Sequence, residues 1–297
     1  MNGEWQAIIR LVNGDTMKFK KIAIIGMGLI GGSIGKAVIE NNLADEVIGI
    51  CRRQVSLDKA IKEKALTCGF INNYEEALQG AEIVIIATPV YTIKTALKEI
   101  AGVINDKKVI VTDVGSTKKE IVEYAEKFKD RFSFIGGHPL AGSEKAGVEY
   151  STADLYKGSV CVLTPSTGVL SEDEKKIKVL WESLGAKVGI LDPEEHDKAL
   201  AFSSHLPHIA AYALAGTLEE KFPKTTYTTG FKDTTRIASS DPKIWSDIFA
   251  SNNNNVLNAI EKYKKILSDI EEKIKENDIE ALKEKLDEYK RLRDELV

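Results

Sequence analysis

No apolar run in this sequence approaches the roughly 20 residues that a membrane-spanning helix needs, and the N-terminal stretch lacks a secretory hydrophobic segment, so no membrane association is expected. Cysteine is scarce. Cys51, Cys68 and Cys161 are an odd set at unrelated spacings, which excludes a disulfide framework and fits free thiols in the reducing cytoplasm. Positive charge is not in surplus: the net charge of −4 leaves no clustered excess of Lys and Arg to track phosphates, so nucleic acid is not an expected partner. The four histidines and three cysteines show no metal-ligand spacing, and no metal is expected. Glycine and proline are too few for a fibrous or low-complexity class. What remains is an ordinary globular composition, 43% hydrophobic and 29% charged, on a chain of 297 residues. That length exceeds what one growing core accommodates, and two domains are expected.

From Lys21 onward, short β-branched runs alternate with helical stretches, the pattern of parallel strands joined by crossover helices. The runs are Ile22–Ile25, Val47–Ile50, Ile83–Ala87, Val109–Thr112, Phe134–Ile135 and Val160–Leu163, with Val188–Leu191 closing the series. Nearly continuous apolar character predicts strands covered on both faces. The expected fold class is α/β: a doubly wound, mostly parallel sheet followed by an all-helical half. The change comes at Asp192-Pro193-Glu194-Glu195, which supplies an N-cap, a first-turn proline and an acid at the third position. Beyond Trp245, Val256, Ile260, Tyr263, Leu267, Ile270 and Ile274 step by three and four, and Ile279, Leu282, Leu286 and Tyr289 resume that rhythm after Asn277-Asp278. Two amphipathic helices are expected there. Residues 1–16 read as an N-terminal extension, 17–191 as the sheet domain and 192–297 as the helical domain.

Gly26-Met27-Gly28-Leu29-Ile30-Gly31 follows a strand and opens a helix, the context that makes a glycine pattern a Rossmann-like dinucleotide-binding signal. The first glycine permits the turn, the second lets a pyrophosphate approach the backbone, and the third allows close helix packing. Free N–H groups and positive potential at the helix start favour the phosphates. The place usually held by an acid that binds the ribose of NAD is taken by Cys51, followed by Arg52 and Arg53. Two guanidinium groups there suit a 2′-phosphate or are plain surface arginines, so the cofactor stays NAD or NADP. Thr88-Pro89, after the strand Ile83–Ala87, is expected to line the cofactor cleft with Asp113.

Five further segments act together: Thr112-Asp113-Val114-Gly115-Ser116-Thr117-Lys118, Gly136-Gly137-His138-Pro139-Leu140-Ala141-Gly142-Ser143-Glu144, Ser204-His205-Leu206-Pro207-His208, the run from Gly230 through Phe231-Lys232-Asp233 and Arg236 to Ala238, and Ser240 through Trp245. As a set they resemble the prephenate dehydrogenases over about residues 20–263. One departure is Thr229, where that family often has the first of a glycine pair.

The resemblance implies an oxidoreductase of tyrosine biosynthesis that converts prephenate to 4-hydroxyphenylpyruvate, with a helical domain that completes the substrate site and makes a homodimer. The chemistry explains the residue types. Hydride loss from ring C4 needs a base for the hydroxyl proton, and a histidine suits that task near neutrality; His138 is the candidate. The resemblance gives Ser116 the role of orienting that histidine and the hydroxyl, with a helix cap as the alternative for Ser116 and Asp113. Arg236 offers a planar fork for the ring carboxylate, the alternative being a structural ion pair with an acid such as Asp233. By resemblance His208 meets the pyruvyl side chain, while His205 binds there or only packs. Glu144 is expected to gate the pocket or to be a solvated loop charge; Trp245 closes it or packs in a core. Gly230 and Thr229 are expected beside the substrate side chain. His196, after two acids at a helix start, is expected at the surface.

The same residues admit three rival functions. Arogenate dehydrogenases run the same ring chemistry on an amino-acid side chain, and only the surroundings of His208, Thr229 and Trp245 would discriminate. The β-hydroxyacid dehydrogenases carry a lysine at the start of their helical half, where this chain has Ser204 to His208. A non-catalytic nucleotide sensor would keep the glycine turn without needing His138 and Arg236. No stretch is left for a fused mutase or a separate amino-acid-sensing domain, so any inhibition by tyrosine is expected at the active site.

Overall fold

The computed structural model describes residues 17–142, 145–218 and 223–296. The N-terminal extension at 1–16 and Glu144 lie outside the described residues. The chain separates into two compact units: one runs to Ala199 and takes back Ser239–Ser251, and the other holds Leu200–Ala238 and Asn252–Val297.

The first unit is built on eight strands in the order β3-β2-β1-β4-β5-β6-β7-β8. They are β1 (Phe19–Ile25), β2 (Ala44–Cys51), β3 (Cys68–Ile71), β4 (Ile83–Ile86), β5 (Ile110–Asp113), β6 (Ser133–Pro139), β7 (Val160–Pro165) and β8 (Lys187–Ile190). Every pairing is parallel except β6 with β7. The order reverses between β1 and β4, so the carboxyl ends of those strands flank the switch point where ligands of open α/β sheets bind.

Alternation along each strand splits the core between the two faces. Ile22, Ile24, Val47, Ile83 and Ile85 join one cluster with α1 (Leu29–Glu40), α2 (Gln54–Lys62) and α6 (Ser171–Ser183). Ala23, Ile25, Ile48, Val84 and Ile86 join the other with α3 (Tyr74–Leu78), α4 (Val90–Val103) and α5 (Lys119–Ala125). Burial on both faces explains the continuous apolar runs in the sequence.

Two strand expectations need correction. The edge strand β3 was not anticipated: Cys-Gly-Phe-Ile is short and partly exposed, and it is specified by its pairing with β2 rather than by its own pattern. β6 does not stop at Ile135 but runs through Gly136, Gly137 and His138 to Pro139, paired to β7. The glycines serve close packing within the strand, since a Cβ on Gly137 would stand 2.7 Å from the Asp113 carbonyl oxygen.

Two helices complete the sheet unit. α7 (Pro193–Leu200) contributes all but its last residue, and α10 (Pro242–Ser251) belongs to the returning segment. In the helical unit a single π turn, Ala201–His205, precedes α8 (Leu206–Gly216), with Pro207 in the first turn of α8, where a missing N–H is tolerated. α9 (Thr229–Thr235), α11 (Asn253–Lys275) and α12 (Ile279–Asp294) follow. The break between α11 and α12 falls at Asn277, whose φ of 56° is left-handed, and the Asp278 side chain accepts from the Ala281 N–H at 3.0 Å to start α12. Among the described residues no helix is long and apolar enough to cross a membrane.

Candidate active site

The glycine turn has the geometry of a dinucleotide cradle. Gly26 has φ +95°, and a Cβ there would meet the Ala87 carbonyl oxygen at 2.7 Å and the Thr88 methyl at 2.9 Å, so the turn after β1 sits against the end of β4. A Cβ on Gly31 would fall 2.1 Å from the Gly26 carbonyl oxygen, which fixes the start of α1 tightly to the turn. Gly28, by contrast, has open space where its side chain would be. Thr88 Oγ1 is buried with no hydrogen-bond partner among the described residues. An open backbone approach beside an unsatisfied hydroxyl, at a switch point and a helix start, fits a bound dinucleotide.

Not every residue expected to touch that cofactor presents its side chain. Met27 and Cys51 are buried in the core, and desolvation pushes the Cys51 thiol pKa up, so these positions offer backbone only. Ile30 is partly buried, and its carbonyl accepts from the Tyr156 hydroxyl at 2.8 Å, while Leu29 opens α1. Pro89, Arg52 and Arg53 are exposed, the arginines directly beyond β2. Asp113 is committed to internal contacts. Its carboxylate is fully buried and accepts from the N–H of Gly115 at 2.8 Å, from the N–H of Gly137 at 3.2 Å and from Lys118 Nζ. It braces the β5 and β6 ends. Lys118 is fully buried as well and donates to the Gly137 carbonyl at 2.8 Å; desolvation lowers its pKa, against the opposing pull of Asp113.

His138 stands half-buried near the carboxyl end of β6. Its Nδ1 lies 2.9 Å from Nε2 of His196, the rings meeting edge to face with centroids 5.1 Å apart. His196 is not a surface residue: it has no exposed area, and its Nδ1 lies 2.8 Å from Asp197 Oδ1. The Asp197 carboxylate also accepts from the backbone N–H of Lys118 at 2.7 Å and of Lys119 at 3.0 Å. Sequence reasoning missed this pair because Glu194, Glu195 and Lys198 give the stretch a solvated look. The available signal was spacing: Pro193, His196, Asp197 and Leu200 fall at i, i+3, i+4 and i+7, the inward face of α7. Ser116 is half-buried in the β5–α5 loop, and the neighbouring Thr117 hydroxyl lies 3.0 Å from that of Ser251 in α10. Trp245 is half-buried on α10, 5.5 Å from the Phe249 ring.

The remaining predicted residues lie in the helical unit. His205 is buried, with its Nδ1 3.3 Å from the Asn252 amide nitrogen, which fits the packing role for it. His208 donates from Nδ1 to the Ser204 carbonyl at 3.0 Å, and desolvation lowers its pKa. Pro207 does not interrupt the helical path, so His205 and His208 share a side as expected. Thr229, Gly230 and Arg236 are exposed on and just after α9. Among the described residues there is no group of three or more His, Cys, Asp and Glu that could hold a metal.

Residues 34–190 match the family model described as prephenate dehydrogenase, nucleotide-binding domain, and residues 192–288 match the prephenate dehydrogenase dimerization domain. The prephenate dehydrogenase of Lactococcus lactis subsp. cremoris is 37% identical over 284 residues, which span 92% of this chain and 77% of that protein. That of Bacillus subtilis is 35% identical over 271 residues, 88% of this chain and 72% of its own length. The crystal structure of prephenate dehydrogenase from A. aeolicus in complex with hydroxyphenyl propionate and NAD+ superposes with a TM-score of 0.87 at 34% identity, covering 95% of this chain and 100% of the other. On matches to both halves and over nearly its whole length, this chain belongs to the prephenate dehydrogenase family.

Proposed function

We propose that this chain catalyses the oxidative decarboxylation of prephenate to 4-hydroxyphenylpyruvate, with His138 as the base. The observation that carries the reading is that one compact unit holds both an open glycine cradle at the sheet's switch point and a half-buried histidine near the carboxyl end of β6. A nicotinamide dinucleotide held at Gly26, Gly28, Gly31 and Thr88 supplies the hydride acceptor when bound. His138 takes the hydroxyl proton as the ring C4 carbonyl forms. The C1–carboxylate bond then breaks, its electron pair flows through the ring onto the C4 oxygen, carbon dioxide leaves, and that oxygen regains a proton as the ring becomes a phenol. Aromatisation makes the sequence effectively irreversible. Arg236 binds the ring carboxylate through its planar fork, and Ser116 orients the hydroxyl. His208, Thr229, Gly230 and Trp245 belong to the recognition of the side chain.

The helical half makes a homodimer in this reading, supported by its match to a dimerization domain and by the exposure of Leu267, Ile274, Ile279 and Leu286. The choice between NAD and NADP turns in this reading on Arg52 and Arg53, whose guanidinium groups, exposed directly beyond β2, suit a 2′-phosphate. Initial rates with prephenate or arogenate, each with NAD or NADP, test the proposal through the absorbance of the reduced cofactor. Turnover of prephenate with at least one cofactor is expected; turnover of arogenate alone would replace the substrate, and turnover of neither would overturn the reading.

A further inference from the structure

The buried His196 and Asp197 have no part in the reaction as set out above, and their geometry gives them one. We propose that they form a positioning pair that fixes which ring nitrogen of His138 takes the substrate's proton; this rests on the reading of His138 as the base.

The protons along this chain of three groups can be assigned one by one. Asp197 already accepts two backbone N–H bonds, from Lys118 and Lys119, and a carboxylate can only accept from the ring nitrogen it faces. His196 therefore carries its proton on Nδ1. With one proton on that ring, Nε2 holds a lone pair, 2.9 Å from Nδ1 of His138. Two lone pairs do not face each other at hydrogen-bond distance, so His138 is protonated on Nδ1 and donates to His196. The lone pair of His138 is thereby assigned to Nε2, the nitrogen that takes the hydroxyl proton. After that transfer the positive charge on His138 is stabilised through the same polarised chain, with no proton leaving His138 along it.

The chain is anchored at its far end in the protein frame. The two N–H groups that hold Asp197 come from the same β5–α5 connection whose Asp113 and Lys118 brace Gly137, the residue before His138. Base, positioning pair and brace are thus one continuous set of contacts within the sheet unit, buried everywhere except at His138 itself. Such support behind a reacting imidazole is commonly worth 10- to 100-fold in activity, as an order of magnitude.

The test uses the full-length protein labelled with nitrogen-15 histidine. With four histidines in the chain, the His138 signals are identified by their loss in His138→Asn. His138 is expected as the Nδ1–H tautomer at neutral pH. A doubly protonated His196 would donate to His138 and produce the Nε2–H tautomer, and that spectrum would overturn the proposal even if no variant of His196 folded. In kinetics, His196→Leu removes the acceptor, and kcat is expected to fall about 10- to 100-fold, with KM for prephenate within about twofold and His138 losing its tautomer preference. His196→Gln returns an acceptor oxygen near the lost Nε2 and should restore kcat to within about fivefold of the parent. Folded His196→Leu with parental kcat would overturn the proposal, as would His196→Gln no more active than His196→Leu with the tautomer unchanged in both. Failure of the underlying reading looks different: His138→Asn would then keep its kcat, whatever the tautomer spectrum shows.

Discussion

The sheet unit buries its charge, and the helical unit exposes its apolar surface. In the first, Asp113, Lys118, His196 and Asp197 have essentially no exposed area, and each is satisfied by a named partner. In the second, Ile274 is 60% and Leu286 50% exposed, and on α12 no residue is fully buried. Polar groups taken from water must be paired at once, which demands precise backbone support. Exposed leucines on long amphipathic helices need only a complementary apolar face. The first unit is therefore organised to hold its buried polar groups still, whereas the second, which matches a dimerization domain, leaves apolar faces to be covered.

That contrast is sharpened most by His138→Asn, which keeps a polar side chain of similar reach but cannot take up the proton. kcat is expected to fall by ~10²–10⁴-fold with little change in KM and no loss of melting temperature. Near-normal kcat in folded protein would remove His138 from the chemistry. Next comes Leu267→Asp with Leu286→Asp. Both leucines are about half exposed, so covering the rest contributes roughly 1 kcal/mol each; two leucines counted twice in a symmetric dimer give about 4 kcal/mol, and dimer dissociation should rise on the order of 10³-fold. Light scattering at micromolar concentration checks this, and a parent protein that is already monomeric would break the comparison.

Arg236→Leu should raise KM for prephenate ~10- to 100-fold while kcat changes little, since the ring carboxylate is present before and during hydride loss. A parallel fall in kcat and melting temperature would instead mark Arg236 as structural. The smallest effect is expected for Arg52→Ala with Arg53→Ala, which should weaken NADP use by ~10-fold and leave NAD use nearly unchanged. Equal losses with both cofactors would dismiss the arginines as selectors.

Much of the architecture was legible because it is written in local periodicity. The continuous apolar runs of buried strands, the capped start of α7 and the heptad-like rhythm on either side of Asn277 each follow from a few neighbouring residues. β3 was not legible, since an edge strand of four residues acquires its form from the strand it pairs with. At the candidate site, residue types pointed to a glycine turn after β1 and to a histidine, which the structure places near the carboxyl end of β6. Their partners were hidden: His138 meets His196 from 58 positions away, and Lys118 meets Asp197 from 79. For the same reason Asp113, Met27 and Cys51 look available in sequence but are spent on internal packing or bracing. A one-dimensional reading sees a carboxylate; whether its lone pairs are already occupied is a property of the fold.

The returning segment Ser239–Ser251 sets terms for anyone who dissects this gene. The polypeptide changes unit three times, after Ala199, after Ala238 and after Ser251. A stop codon at the apparent linker near Leu191 would strip the sheet unit of α7, and with it His196 and Asp197, as well as α10 with Trp245. A single-crossover chimera with a relative would likewise join a sheet unit to foreign copies of its own supports. Grafts of the helical unit should exchange residues 200–238 and 252–297 together, leaving 193–199 and 239–251 with the parent.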